Sequence, residues 1–115
     1  MELIQIWEGF KGTEDSDFIT IEFLGVELGS RRKLYGGYDD NRGTSVRIFR
    51  TEEDTIVFHR VEWSNYDGDE AYVYEYQDLN EAAEAGWRHI IEEMNLGHKG
   101  KFSLKEWRER KQQKK

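Results

Sequence analysis

The 115 residues carry 17 Lys plus Arg against 24 Asp plus Glu, a net charge of -7, and include 4 Trp, 6 Tyr and 6 Phe. That length fits one domain, and so many rings exclude a disordered acidic chain. With no cysteine, disulfide scaffolds, thiolate metal sites, iron–sulfur clusters and cysteine nucleophiles are excluded together.

The chain opens on Met1 to Phe10, where apolar and polar residues alternate and Glu2 and Glu8 interrupt any basic start or continuous apolar stretch of a secretory signal. No apolar run approaches the roughly 20 residues of a membrane span. The expectation is a cytoplasmic protein without membrane contact.

Period-two alternation continues through most of the first 76 positions and predicts a mainly antiparallel sheet. The expected strands are Glu2 to Phe10, Phe18 to Leu24, Lys33 to Tyr38, Thr44 to Arg50, Thr55 to Trp63 and Ala71 to Tyr76. Between them, Lys11 to Asp17, Tyr38 to Gly43, Thr51 to Asp54 and Ser64 to Glu70 combine charge with Asn, Asp and Gly, the composition of hairpin tips. Gly36 and Gly37 within the third segment, and Gly25 after the second, predict a bulge or bend where the sheet curves. The segment Thr55 to Trp63 is apolar on both faces, with Ile56 and Phe58 on one and Val57, Val61 and Trp63 on the other. Its second face requires cover from curvature into a half-barrel, from the C-terminal segment, or from another copy of the chain, so a homodimer is one expectation.

The period then changes. Leu79, Ala82, Ala83, Gly86, Trp87, Ile90, Ile91 and Met94 recur at helical steps, with Asp78 and Glu81 at capping-box spacing and Gly97 as a stop, predicting a helix from Leu79 to Asn95. A second capping box, Ser103 to Glu106, opens a short helix that ends in basic residues. The fold expected is α+β, a curved sheet of five or six strands followed by one amphipathic helix and a short basic C-terminal helix. Residues 1–97 form the domain and residues 98–115 the basic tail; the former hold 9 basic and 22 acidic residues, the latter 8 and 2.

Several groups are candidates for recognition. Trp63, Tyr66, Tyr72, Tyr74 and Tyr76 lie along one hairpin, where the tyrosine row either anchors a protein partner, stacks nucleobases, or simply covers a half-solvated sheet face. Arg31, Arg32, Lys33 and Arg47 in the sheet, with Arg108, Arg110 and Lys111 in the tail, are the candidate anion or nucleic-acid contacts; the plainer reading of the sheet arginines, Arg42, Arg50 and Arg60 among them, is cross-strand pairing with residues such as Glu22 and Glu62. His59 shares a face with Val57, Val61 and Trp63, so it reads as a packed sheet histidine unless a carboxylate stands within reach. His89 precedes Glu92 and Glu93 at helix-supporting spacing. Asp67-Gly68-Asp69-Glu70 has too few oxygens and the wrong flanks for an EF-hand. No phosphate-cradle or nucleophile-elbow motif is present. No metal, cofactor or catalytic residue is assigned.

Arg42 to Thr51 (RGTSVRIFRT), followed by Ile56 to His59 (IVFH) and Trp63-Ser64, resembles the small bacterial proteins of the EXLDI family, whose members carry a similar Arg-Gly-Thr, strand, Arg-Thr, turn, strand, His and Trp-Ser succession. The resemblance covers residues 18 to 92. The ribbon-helix-helix-like start and the Glu-x-Leu-Asp-Ile ending of that family have no counterpart here, and the resemblance implies no enzyme activity. The leading expectation is a non-catalytic protein-interaction module, an inhibitor or regulator acting through an acidic, aromatic-bearing sheet surface. The alternatives are a nucleic-acid-binding accessory protein using the tail and the sheet arginines, and a small-ligand-binding or enzymatic domain with a pocket between the Gly36-Gly37 bend and the helix, near His59.

Overall fold

Alternation produces five antiparallel strands, each paired with its sequence neighbour: β1 (Glu2–Lys11), β2 (Ser16–Leu34), β3 (Arg42–Thr51), β4 (Ile56–Ser64) and β5 (Asp69–Tyr76). The computed structural model describes residues 1–34, 41–94, 96 and 103–112. In it β5 returns to β1, with Gly9, Phe10 and Lys11 opposite Ala71, Glu70 and Asp69, so the sheet is a closed barrel and not the open curved sheet that the pattern predicts. Gly9, the first residue of this seam, is also tightly set against β2. Its φ is 127°, and a Cβ there would lie 2.4 Å from the Asp17 carbonyl oxygen.

Closure also covers the two-faced β4. Val57 joins Ile4, Ile6 and Phe49 in a buried cluster inside the barrel, edged by Ile21, Phe23 and Val73. Ile56 and Phe58 face outward with Val46 and Ile48, beneath Ala82 and Ile91 of the helical segment. From Ile56 to His59 both faces of β4 are thus buried within one chain, whereas Val61 and Trp63 are partly buried.

β2 is a single strand of 19 residues that continues past the predicted end at Leu24 to Leu34, and the strand predicted from Lys33 to Tyr38 lies outside the described residues beyond Leu34. Gly25 pairs in regular register with Thr51, and the irregularity falls between Glu27 and Gly29, where the extra residue is Leu28. Inserting one residue rotates the following side chains to the other face, which sends Leu28 toward the helix cluster. Gly36, Gly37 and Gly97 lie outside the described residues.

The predicted long helix begins at the expected cap but is interrupted. It comprises α1 (Leu79–Ala82), a π-helical turn (Ala83–Trp87) and α2 (Arg88–Glu93). Asp78 Oδ1 accepts the Glu81 amide hydrogen at 2.8 Å, and Glu81 Oε2 accepts that of Gln77 at 2.8 Å. Removing the first of these bonds by Asp78→Ala is expected to lower stability by about 1 kcal/mol, measured by urea denaturation; an unchanged midpoint would refute the cap's contribution. Within the π turn Gly86 has a φ of 114°, a conformation costly to any side-chain-bearing residue. A further helix, α3 (Leu104–Gln112), opens where Ser103 Oγ accepts the Glu106 amide hydrogen at 3.2 Å, and its residues are all exposed. No described helix is long and apolar enough to cross a membrane.

Candidate anion-binding cleft

Where α1, the π turn and α2 cross the outer face of β3, β4 and β5, the Ala85-Gly86 pair presents almost no side chain to fill the gap. Two adjoining hollows result, of about 430 and 390 Å³, sharing Thr44, Val46, Gly86 and Ile90. The larger is bordered by Arg31, Lys33 and His89. The smaller is bordered by Arg60 and by the rings of Tyr74, Tyr76 and Trp87.

Strand register explains why the cleft is basic. Arg60 faces Val46 on β3 and Tyr72 on β5, so no carboxylate is its cross-strand neighbour. Its guanidinium instead stands over two rings, 4.6 Å from the Tyr72 centroid and 5.8 Å from that of Tyr74. Arg60 Nε is buried without a hydrogen-bond partner, and among the described residues Arg60 forms no ion pair. Lys33, which is exposed, likewise forms no ion pair among the described residues. Arg31 is partly neutralised by Glu93 at 2.7 Å, which also lies 3.7 Å from His89 Nε2.

The aromatic wall is held from both sides. Trp87 lies on Phe58 with ring centroids 4.5 Å apart, approaches Tyr74 at 5.5 Å, and donates its indole N–H to Tyr76 Oη at 2.8 Å. These rings and the Arg60 guanidinium border the same small hollow.

Of the candidate contact residues singled out from sequence, the fold brings Arg31, Lys33, Tyr74 and Tyr76 to the cleft and disperses the others. Arg32 stacks over Trp63 at 4.5 Å. Arg47 binds both Glu27 carboxylate oxygens at 3.0 and 3.1 Å, and that hydrogen bonding holds the Glu27 pKa below its usual value. Arg42, Arg47 and Arg50 do form ion pairs, but with Asp67, Glu27 and Asp54 in place of Glu22 and Glu62. Arg108, Arg110 and Lys111 are on α3. The tyrosine row shares one strand face as expected, yet Tyr74 and Tyr76 pack against the helix cluster. Tyr72 donates its hydroxyl to Glu70, which raises the phenol's pKa. Tyr66 alone of the five is largely open, at 59% exposure, accepting a hydrogen bond from Asn41 Nδ2 at 2.8 Å. Asp67 pairs with Arg42 and Asp69 accepts the Ser64 amide hydrogen, so this turn is a hairpin tip; no group of acidic or histidine side chains among the described residues is arranged to hold a metal ion.

His59 borders neither hollow of the cleft. It is buried inside the barrel, where Nε2–H donates to the Trp7 carbonyl at 2.8 Å and Nδ1 has no partner. Burial pushes its pKa down. Nearby, Glu8 accepts the Val73 amide hydrogen at 3.1 Å. Continuing the register Gly9↔Ala71 would set Trp7 against Val73, so side chains take the groups that the ladder leaves unpaired where β1 and β5 diverge.

A third hollow, about 260 Å³, lies beside the β3–β4 turn, with Phe23, Val57 and Val73 as apolar lining and Glu52, Glu53 and Glu75 around it. Those carboxylates oppose any anion.

Sequence reading named Arg60 only among the sheet arginines expected to pair across strands, and it missed the open π turn; the signal that sets Arg60 apart, an arginine with no acid opposite it, depends on register. The class defined is a five-stranded antiparallel barrel with a basic, aromatic-sided cleft under an interrupted helix. No family model matches the chain, and no curated protein or solved structure does so either.

Proposed function

We propose that the protein binds a small anionic ligand in the cleft between the π turn and the sheet. The observation that carries this reading is the Arg60 guanidinium, unpaired and set against aromatic rings, with the unpaired Lys33 ammonium across the shared space. A concave site with aromatic sides and few, convergent cations suits one small ligand, and arginine is suited to phosphate or carboxylate in partial burial. The acidic, aromatic-bearing surface expected to meet a protein partner finds less support, because the helix overlies Tyr74 and Tyr76 and Trp63 lies under Arg32. The EXLDI resemblance implies no activity and so adds nothing to the choice.

Titration with inorganic phosphate, followed through the Trp87 indole N–H resonance, tests the reading. Saturable shifts are expected in the unaltered protein. Arg60→Met keeps the aliphatic stem on Tyr72 but removes the charge, and is expected to weaken binding at least about tenfold, equivalent to about 1.4 kcal/mol. No saturable shift, or equal affinity in the variant, would refute the proposal.

A further inference from the structure

The two hollows differ in chemistry, and the difference describes the ligand. One is bordered by Arg31, Lys33 and the His89 imidazole, while the other has three large aromatic side chains and Arg60. They join at Thr44, Val46, Gly86 and Ile90, where Gly86 leaves the passage unobstructed: a Cβ there would find nothing within 4 Å. A ligand filling both must be charged at one end and flat and apolar at the other.

We infer that the ligand is an organic monophosphate carrying a planar ring, of the chemical class of a mononucleotide or an aryl phosphate. This rests on the anion-binding reading above. Phosphate is favoured over carboxylate by charge matching. Of the lysine and arginine side chains that border the two hollows, Lys33 and Arg60 have no acidic partner among the described residues, and a phosphomonoester carries about -1.5 to -2 near neutral pH against the single charge of a carboxylate. The phosphate lies toward Lys33 and Arg31. The ring lies along Tyr74 and Trp87, where flat surfaces stack at small conformational cost, and the Arg60 guanidinium, which borders this same hollow, is able to stack on the ring or to fork onto the phosphate. A polymeric nucleic acid fits less well. Residues 1–97 hold 22 acidic against 9 basic residues, which repels a long phosphate backbone but leaves a single phosphate inside a locally basic hollow unaffected beyond a Debye length.

The test is calorimetric titration of the full chain with inorganic phosphate, phenyl phosphate and adenosine monophosphate. The two ring-bearing probes are expected to bind at least about tenfold tighter than inorganic phosphate. Lys33→Gln should weaken all three by a similar factor. Tyr74→Leu should remove the advantage of the ring while leaving inorganic phosphate unchanged, and Tyr74→Phe, which keeps the ring, should retain that advantage. The phenylalanine variant keeps the question answerable if the leucine variant fails to fold. Binding of inorganic phosphate with no gain from either ring would overturn this inference and leave the anion site standing. A ring advantage that survives in Tyr74→Leu, or is lost in a folded Tyr74→Phe, would also overturn it. Failure of all three probes would remove both proposals.

Discussion

Replacing Phe58 with alanine is expected to cost about 3–5 kcal/mol of folding stability and to abolish ligand binding in the cleft. Phe58 is 0% exposed, and its ring lies between the barrel wall and the helical segment, 4.5 Å from Trp87 and 5.7 Å from Tyr76. The loss combines the transfer free energy of the ring with a cavity that the stiff sheet on one side cannot close. Since small domains have about 5–15 kcal/mol in total, the variant should unfold at a much lower urea concentration. Phe49→Ala is the informative comparison. Phe49 is equally buried but belongs to the cluster inside the barrel, against Phe23 at 5.6 Å. A similar loss of stability is expected there, with the Trp87 indole resonance and phosphate binding retained in the fraction that remains folded. A change below about 1 kcal/mol for Phe58→Ala, or equal damage to the Trp87 signal from Phe49→Ala, would show that the helix is not held as described.

His59→Leu is expected to cost about 1–3 kcal/mol at pH 8, because leucine keeps an apolar volume inside the barrel but leaves the Trp7 carbonyl without its donor. It should also remove a particular pH dependence. Burial holds the folded-state pKa of His59 below the ordinary 6.5. Above 6.5 the ring is neutral in both folded and unfolded chains, so its full contribution is present. As the pH falls through 6.5 the unfolded chain takes up a proton that the buried ring resists, and stability declines until the folded pKa is reached; below it both states are charged and the decline stops. Urea midpoints of the two proteins should therefore differ more at pH 8 than at pH 5. The Glu27 carboxylate, held low by Arg47, contributes its own loss only as the pH falls below 4.5, outside that window. An identical slope in the two proteins between pH 8 and 5 would refute the assignment.

The elements were legible in the sequence wherever one physical signal dominated. Alternation marked β3, β4 and β5 to within two residues at each end, because each buries at least one continuous face. The capping box at Asp78 marked the start of α1 because its side-chain geometry is local. What the sequence left open depends on distant partners. β2 reads as ending at Leu24 because Glu27, Arg31 and Arg32 break its apolar pattern, and its bulge at Leu28 is visible only against the register with β3. Barrel closure rests on three residue pairs whose sequences carry no pairing signal. Gly86 in a helical pattern is ordinarily tolerated, and nothing adjacent to it distinguishes a π turn from a weak α-helix. The cleft follows the same division. Arg31 and Lys33 were found because clustered cations draw attention, whereas Arg60 is distinguished only by facing Val46 and Tyr72 in place of an acid.

The short seam between β1 and β5 also bears on how the chain assembles. Every other strand pair joins consecutive segments, so the sheet can grow hairpin by hairpin through nearby contacts that close quickly. The seam, by contrast, must bring residues 9–11 to residues 69–71, and the hydrogen bonds beside it link positions 52 and 65 apart in sequence. Such distant joints bear the largest loop-closure entropy and form last. The folding path is thus a four-hairpin meander that curls until its first strand meets its last. Most of the β1 edge facing that joint stays without a strand neighbour, and Glu8, tied to Val73, places a charged side chain on the edge where another chain would otherwise add a strand.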